Sequence, residues 1–197
     1  MARPAGFDRN QALDAALKLF WCQGYVATSL GQLLEAMGIG RSSFYAAFGD
    51  KRSLFIEVLI LFSNRTRRML LDAREETGTL DAIRRFFRAT LIDAPRDRAR
   101  RGCLMVNTIL ELTDVDDELS AMAARELDRV EDVFEVGFAA AQAAGAYPAE
   151  RSPSELAAHL MVLNQGLRVA SRKRVSRKAL ESQVETALSI LGMPTAA

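Results

Sequence analysis

The sequence predicts an all-α protein that opens with a helix-turn-helix unit. Three observations carry this. Apolar residues recur at helical spacing along most of the 197 residues. Alternating β-branched runs are few, and only 5 prolines interrupt the chain. Residues 28–51, TSLGQLLEAMGIGRSSFYAAFGDK, read as two short helices joined by a Gly-Ile-Gly turn. In such units the second helix enters the DNA major groove with its N-terminal residues near base edges.

Composition narrows the function classes. With 26 basic and 25 acidic residues, the net charge of +1 does not indicate wholesale electrostatic binding of nucleic acid. Any such site is local, and residues 1–52 are slightly basic while the remainder is slightly acidic. Nearly half of the residues are apolar, enough for a sizeable core. Cys22 and Cys103 are too far apart in sequence to suggest a metal cluster or a disulfide framework. The sole histidine, His159, has no second ligand near it, so no zinc and no other cofactor is expected. No nucleophile elbow, phosphate-cradling Gly-rich loop or paired catalytic carboxylates occur, which argues against an enzyme. No stretch resembles a leader peptide or approaches the ~18 apolar residues of a membrane span, so cytoplasmic localisation without membrane attachment is expected.

The elements follow in order. Residues 1–6 read as a loose terminus, or as an arm carrying Arg3 to the minor groove. Asp8 caps a first helix with Gln11 at the capping-box position. Its inward stripe is Leu13, Ala16, Leu17 and Phe20, and Gly24 ends it. Thr28 is expected to cap the second helix through its hydroxyl. Leu30, Leu33, Leu34 and Met37 form that helix's face, and Gly38 terminates it. In the third helix, from Arg41 to about Phe48, Phe44 and Phe48 point inward. That leaves Arg41, Ser42, Ser43, Tyr45, Ala46 and Ala47 toward solvent or DNA. Arg41 and Ser43 suit bases or phosphates, Tyr45 suits a phosphate, and the two alanines let the backbone sit deep in a groove. Asp50 then caps a helix opening at Lys51, whose ammonium and neighbouring amides form a phosphate anchor.

The run from Phe7 to Leu54 resembles the N-terminal domain of the TetR family of bacterial transcriptional regulators. The features that carry the resemblance are the Phe20/Gly24 helix end, Thr28-Ser29, Gly38-Ile39, Tyr45 followed by Phe48, and Lys51 opening the fourth helix. The resemblance implies a division into a DNA-binding domain, 1–50, and a ligand-binding and dimerisation domain, 51–197, with about nine helices in all. It implies that Thr28, Arg41, Ser42, Ser43, Tyr45 and Lys51 contact DNA. Many family members carry larger polar residues where Ala46 and Ala47 stand, so direct base readout is thinner here.

Beyond the headpiece, a long helix from Lys51 to about Arg74 leads into a helix patterned by Leu80, Ile83, Phe86, Phe87 and Thr90. A charged loop, 93–101, follows. Gly102-Cys103-Leu104 resembles a segment at the sixth helix of one family branch, which includes electrophile-responsive repressors. Cys103 beside Arg100 and Arg101 therefore has two readings: a small packed residue, or a sensor thiol favoured by positive charge. The resemblance implies an inducer pocket within helices five to eight. Its candidate lining is Phe62, Phe86, Phe87, Met105, Thr108, Phe134, Phe138 and Met161, with Asn107 and Glu111 as polar contacts. The expected inducer is a small, largely apolar or aromatic molecule.

Two helices close the chain. Leu156, Leu160, Leu163 and Leu167 follow a heptad seam, and Leu180, Val184 and Leu188 line the last helix. These are expected to form a homodimer interface as a four-helix bundle. The whole reads as a homodimeric transcriptional regulator, a repressor that binds a palindromic double-stranded DNA operator and is released by a small-molecule inducer. The alternatives are a repressor sensing electrophiles through Cys103, and a helical ligand-binding or adaptor protein without DNA binding.

Overall fold

A computed structural model describes residues 6–173 and 175–193. The expected arm with Arg3 lies outside them. The described residues form ten α-helices and no strand. They are α1 (Arg9–Gln23), α2 (Leu30–Met37), α3 (Arg41–Phe48), α4 (Lys51–Thr77), α5 (Thr79–Phe87), α6 (Arg96–Ala99), α7 (Leu104–Leu112), α8 (Asp117–Ala143), α9 (Pro153–Arg172) and α10 (Arg177–Ile190). A π-helical turn, Arg88–Ile92, prolongs α5. The helix beyond the expected nine is α6, a single turn inside the charged loop.

The chain divides into two compact units. Unit one comprises the residues up to Phe62 together with Leu104–Glu126, and unit two comprises Ser63–Cys103 with Leu127 onward. The boundary expected at 50/51 thus does not coincide with the compact units. The start of α4, all of α7 and the first part of α8 pack with α1–α3.

Unit one is built on aromatic residues, because three helices of 15, 8 and 8 residues bury little area otherwise. Phe20, Phe44 and Phe55 are fully enclosed, and Phe20 meets Phe55 edge-on at 4.8 Å. Full burial of each such side chain stabilises by about 1.5–3 kcal/mol. Asp8 caps α1 by accepting the Asn10 and Gln11 amides. Gly24, at φ 84, closes α1 with its N–H on the Phe20 carbonyl. The cap of α2 differs from expectation: it is Ser29, not Thr28. Ser29 and Gln32 form a reciprocal capping box. Thr28 lies one residue early and turns inward, its hydroxyl donating to the Gly24 carbonyl at 2.6 Å.

In unit two, α5 buries Ala82, Ile83, Phe86 and Phe87, and α8 adds Val130, Phe134 and Phe138. Gly137 of α8 lets α5 come close: a Cβ there would stand 2.8 Å from the Thr79 methyl. Within the π-helical turn, the Thr90 hydroxyl donates to the Phe86 carbonyl, and the Asp93 N–H reaches back five residues to the Arg88 carbonyl. Ion pairs tie this turn to α10, through Arg88 with Glu181 and Arg177 with Asp93. Ser152, Pro153 and Glu155 start α9 with a capping box and a first-turn proline.

The expected dimer seam needs correction. Leu156, Leu160, Leu167, Leu180, Val184 and Leu188 are all buried within the protomer, and Leu163 is half-buried. Their stripes pack into the protomer's own core, so they are not free to meet a second copy. The outer face of α9 instead exposes Ala158, Val162, Gly166 and Val169. No described helix is long and apolar enough to cross a membrane.

Candidate nucleic-acid interface

The turn between α2 and α3 sets the presentation of α3. Gly38 takes the left-handed conformation, φ 64 and ψ 32, which a side chain would disfavour. Ile39 then folds inward and is buried, anchoring the turn. Phe44 and Phe48 bury one face of α3, at 0 % and 3 % exposure. Arg41, Ser42, Tyr45 and Ala46 are exposed on the other face, with Ser43 and Ala47 half-exposed at its margins. No side chain caps the first turn of α3, whose N-cap is Gly40. The amides at that end are thus without a side-chain acceptor on a surface that carries Arg41 and Ser42, an arrangement suited to phosphate. Tyr45 is held edge-on to Phe44 at 5.5 Å, which fixes the ring and leaves the hydroxyl outward.

Two anticipated contacts look different in three dimensions. Thr28 is 0 % exposed with its hydroxyl already donated, so its side chain is structural and not part of a DNA-facing surface. The start of α4 is occupied by its own acid. Asp50 accepts the Ser53 amide at 2.7 Å, and hydrogen bonds from Ser53 hold its carboxyl below the usual aspartate value. Lys51 is half-buried with its ammonium 4.4 Å from the centre of the Tyr25 ring, a cation–π contact. Burial pushes the Lys51 ammonium down from its ordinary value, and the Glu111 carboxylate counters that.

Several residues that position this surface carry no local sequence signal. Arg9 of α1 pairs with Glu57 of α4 at 2.7 Å, donates to the Ala47 carbonyl, and lies 4.6 Å over the Phe48 ring. One guanidinium thereby joins α1, the end of α3 and α4. Arg52 pairs with Asp116 at 3.4 Å and with Glu118 at 2.6 Å. Glu111 accepts the backbone amides of Tyr25 and Val26. Each of its two oxygens is thus engaged with the backbone at the corner between α1 and α2.

The other expected inducer contacts divide between the units. Phe62, Met105, Asn107 and Thr108 belong to unit one, where Phe62 packs edge-on against Trp21 at 4.9 Å and Thr108 is buried with its hydroxyl on the Leu104 carbonyl. Phe86, Phe87, Phe134, Phe138 and Met161 belong to unit two and are all buried. Phe86 stacks edge-on with both Phe87 and Phe134. Unit two has cavities of about 480 Å³ beside Tyr147 and His159 and of about 300 Å³ beside Leu91 and Leu180. None of the expected inducer contacts lines either. Cys103 is buried, which accords with its packing alternative; the sensing alternative gains no support.

Comparison with known proteins agrees with this geometry. Residues 12–58 match the family model for bacterial regulatory proteins of the tetR family. Residues 79–187 match that for the tetracyclin repressor-like C-terminal domain. The HTH-type transcriptional repressor ComR of Escherichia coli is 31% identical over 95% of this chain and 90% of its own length. The uncharacterized HTH-type transcriptional regulator YezE of Bacillus subtilis is 30% identical over 97% of this chain and all of its own. Among solved structures, a cysteine-substituted TetR family transcriptional regulator CifR, complexed with a 26bp double-strand operator DNA, superposes with a TM-score of 0.69. That match is 34% identical and covers 95% of this chain and 98% of that one. These relatives are transcriptional regulators, not enzymes. Matched by family models over both its N-terminal and C-terminal parts, and by relatives over nearly its whole length, this chain belongs to the TetR family of bacterial transcriptional regulators.

Proposed function

We propose that this regulator is a repressor that binds a palindromic operator as a homodimer and leaves it when a small molecule binds. The observation that carries the DNA-binding reading is the two-sided α3, with Phe44 and Phe48 enclosed and Arg41, Ser42 and Tyr45 outward beside an uncapped helix start. Arg41, Ser42, Ser43 and Tyr45 are the proposed contacts, with Lys51 as the adjacent cation. Support comes from CifR, whose structure holds a 26bp operator duplex, and from ComR, which is named a repressor.

The homodimer reading rests on the outer face of α9. Val162 and Val169 are 64% and 55% exposed, and Gly166 has no atom within 4 Å of where a Cβ would stand. A helix from a second copy can approach such a surface closely. Two α3 helices about 34–36 Å apart would read half-sites one turn apart. For the effector, the Phe86, Phe87, Phe134 cluster next to the π-helical turn is the favoured location, since such interruptions recur at functional sites; the cluster lines neither cavity, so a ligand would have to open it. Arg168 adds a cation there, 5.6 Å over the Phe86 ring, which favours an aromatic or apolar ligand carrying a negative group.

The test is selection of bound sequences from random DNA with the full chain, with light scattering on the complex. Recovery of a palindrome bound by two copies supports the proposal. No enriched sequence, or one copy on a single half-site, overturns it. A compound screen on that complex then tests release.

A further inference from the structure

We infer that Glu111 is a positioning residue for operator binding: its carboxylate on α7 fixes the corner between α1 and α2 from which the DNA-reading helices are hung. The inference deepens the operator-binding reading and rests on it.

Three observations point the same way. The Glu111 carboxylate accepts two successive backbone amides, Tyr25 N–H at 3.0 Å and Val26 N–H at 2.8 Å. These are charge-assisted bonds of good length, and they span 86 and 85 residues of sequence. Second, residue 24 has to be glycine for the carboxylate to dock. A Cβ at Gly24 would lie 2.5 Å from Oε2 and 2.7 Å from Oε1, well inside contact distance. Third, the corner carries residues of the interface. Tyr25 is the platform under the Lys51 ammonium, which the Glu111 charge also attracts. Three residues past Val26, Ser29 caps α2, and α2 leads through the Gly38 turn into α3.

The role is one of alignment more than of stability. Val26 is 58% exposed, so water can reach this corner and replace part of what Glu111 supplies. Water cannot hold both amides at one fixed geometry. Removal of Glu111 therefore leaves unit one folded and its corner loose. Arg52, clamped by Asp116 and Glu118, holds the start of α4 from the same stretch of chain, so a displacement of α7 would act on the corner in particular.

The experiment uses the whole 197-residue chain and the operator recovered by selection. Wild-type binding in the same assay checks the operator-binding reading first, so its failure is distinguishable from failure of this one. Operator affinity, affinity for random duplex, thermal melting, and amide hydrogen exchange of Tyr25 and Val26 are measured for Glu111→Ala and Glu111→Gln. In the folded Glu111→Ala protein, operator affinity is expected to fall about tenfold, the loss of two charge-assisted hydrogen bonds being partly offset by water. Random-duplex affinity does not fall, because no cation is removed and loss of the carboxylate leaves the surface beside Lys51 more positive, and both amides exchange faster. A purely structural role would lower both affinities together. Glu111→Gln, which keeps one acceptor, falls between. Operator affinity within about twofold of wild type, or a loss with both amides still protected, overturns the inference. If Glu111→Ala does not fold, Gly24→Ala and Glu111→Gln carry the test. Gly24→Ala displaces the carboxylate, so the two losses in operator affinity are less than multiplicative when combined. The strain of an alanine at φ 84 is present in both backgrounds and cancels. Multiplicative losses overturn the inference.

Discussion

Thr28→Val separates a buried structural hydroxyl from a DNA contact. The substitution keeps the branched shape and removes only the hydrogen-bond donor. In the wild type that donor sits 2.6 Å from the Gly24 carbonyl in a residue with 0 % exposure. The hydroxyl is buried and the Gly24 carbonyl partly so, which lets water replace the lost donor only in part. The cost of such a loss is about 1–2 kcal/mol. For a chain of this size that lowers the melting temperature by roughly 2–8 °C. The assay pairs thermal melting by circular dichroism with operator titration by fluorescence anisotropy, at a temperature where both proteins are folded. The expected result is a lowered melting temperature with operator affinity within about twofold of wild type. Tyr45→Phe gives the reverse, because its hydroxyl is exposed on α3: an unchanged melt and a weakened operator complex. A Thr28→Val protein that melts like wild type yet binds operator about tenfold more weakly would refute the reasoning, since a phosphate contact and not an internal bond would then be what was lost.

Three further expectations follow from the same geometry. Val162→Glu, on the exposed face of α9, yields a folded monomer by light scattering, whereas Leu160→Glu, at 0 % exposure, fails to fold because it buries an unpaired carboxylate. Gly137→Ala sets a helix-propensity gain of about 1 kcal/mol against a Cβ 2.8 Å from the Thr79 methyl. It is expected to destabilise by about 1 kcal/mol net in chemical denaturation, and to become stabilising once Thr79→Ser removes that methyl. The Leu119 amide, and then Arg52, hold the Asp116 carboxyl below its ordinary value of 3.8. A depressed carboxylate stabilises the fold above that ordinary value, and the contribution is lost as pH falls through the folded value. Asp116→Asn therefore melts below wild type at neutral pH, and the two melting curves converge on acidification below 3.8; curves that stay equally separated would contradict this.

Legibility in the sequence tracked the range of the interactions. The inward and outward faces of α3 followed from Phe44, Tyr45 and Phe48, because helical periodicity is local and two-turn helices leave little choice. The all-helical character followed for the same reason, whereas the return of α7 and the start of α8 to the first unit carried no local signal. The capping box at Ser29 and Gln32 was present as a local pattern, but the neighbouring hydroxyl of Thr28 competes for the same role, and burial decided between them.

By itself the sequence determined nine of the ten described helices, where glycines stop several of them, and which short helix presents Arg41, Ser42 and Tyr45; the single turn of α6 and the π-helical turn had no such signal. Only the tertiary structure decided what each apolar stripe faces. A seam such as Leu156 to Leu167 satisfies its own core or a second copy equally well, since burial is non-directional, and here the protomer took it. The fold also decided where distant charges meet. Arg9 with Glu57, and Glu111 with the Tyr25 and Val26 amides, are joined across 48 and 85–86 residues, a separation at which no periodicity carries information.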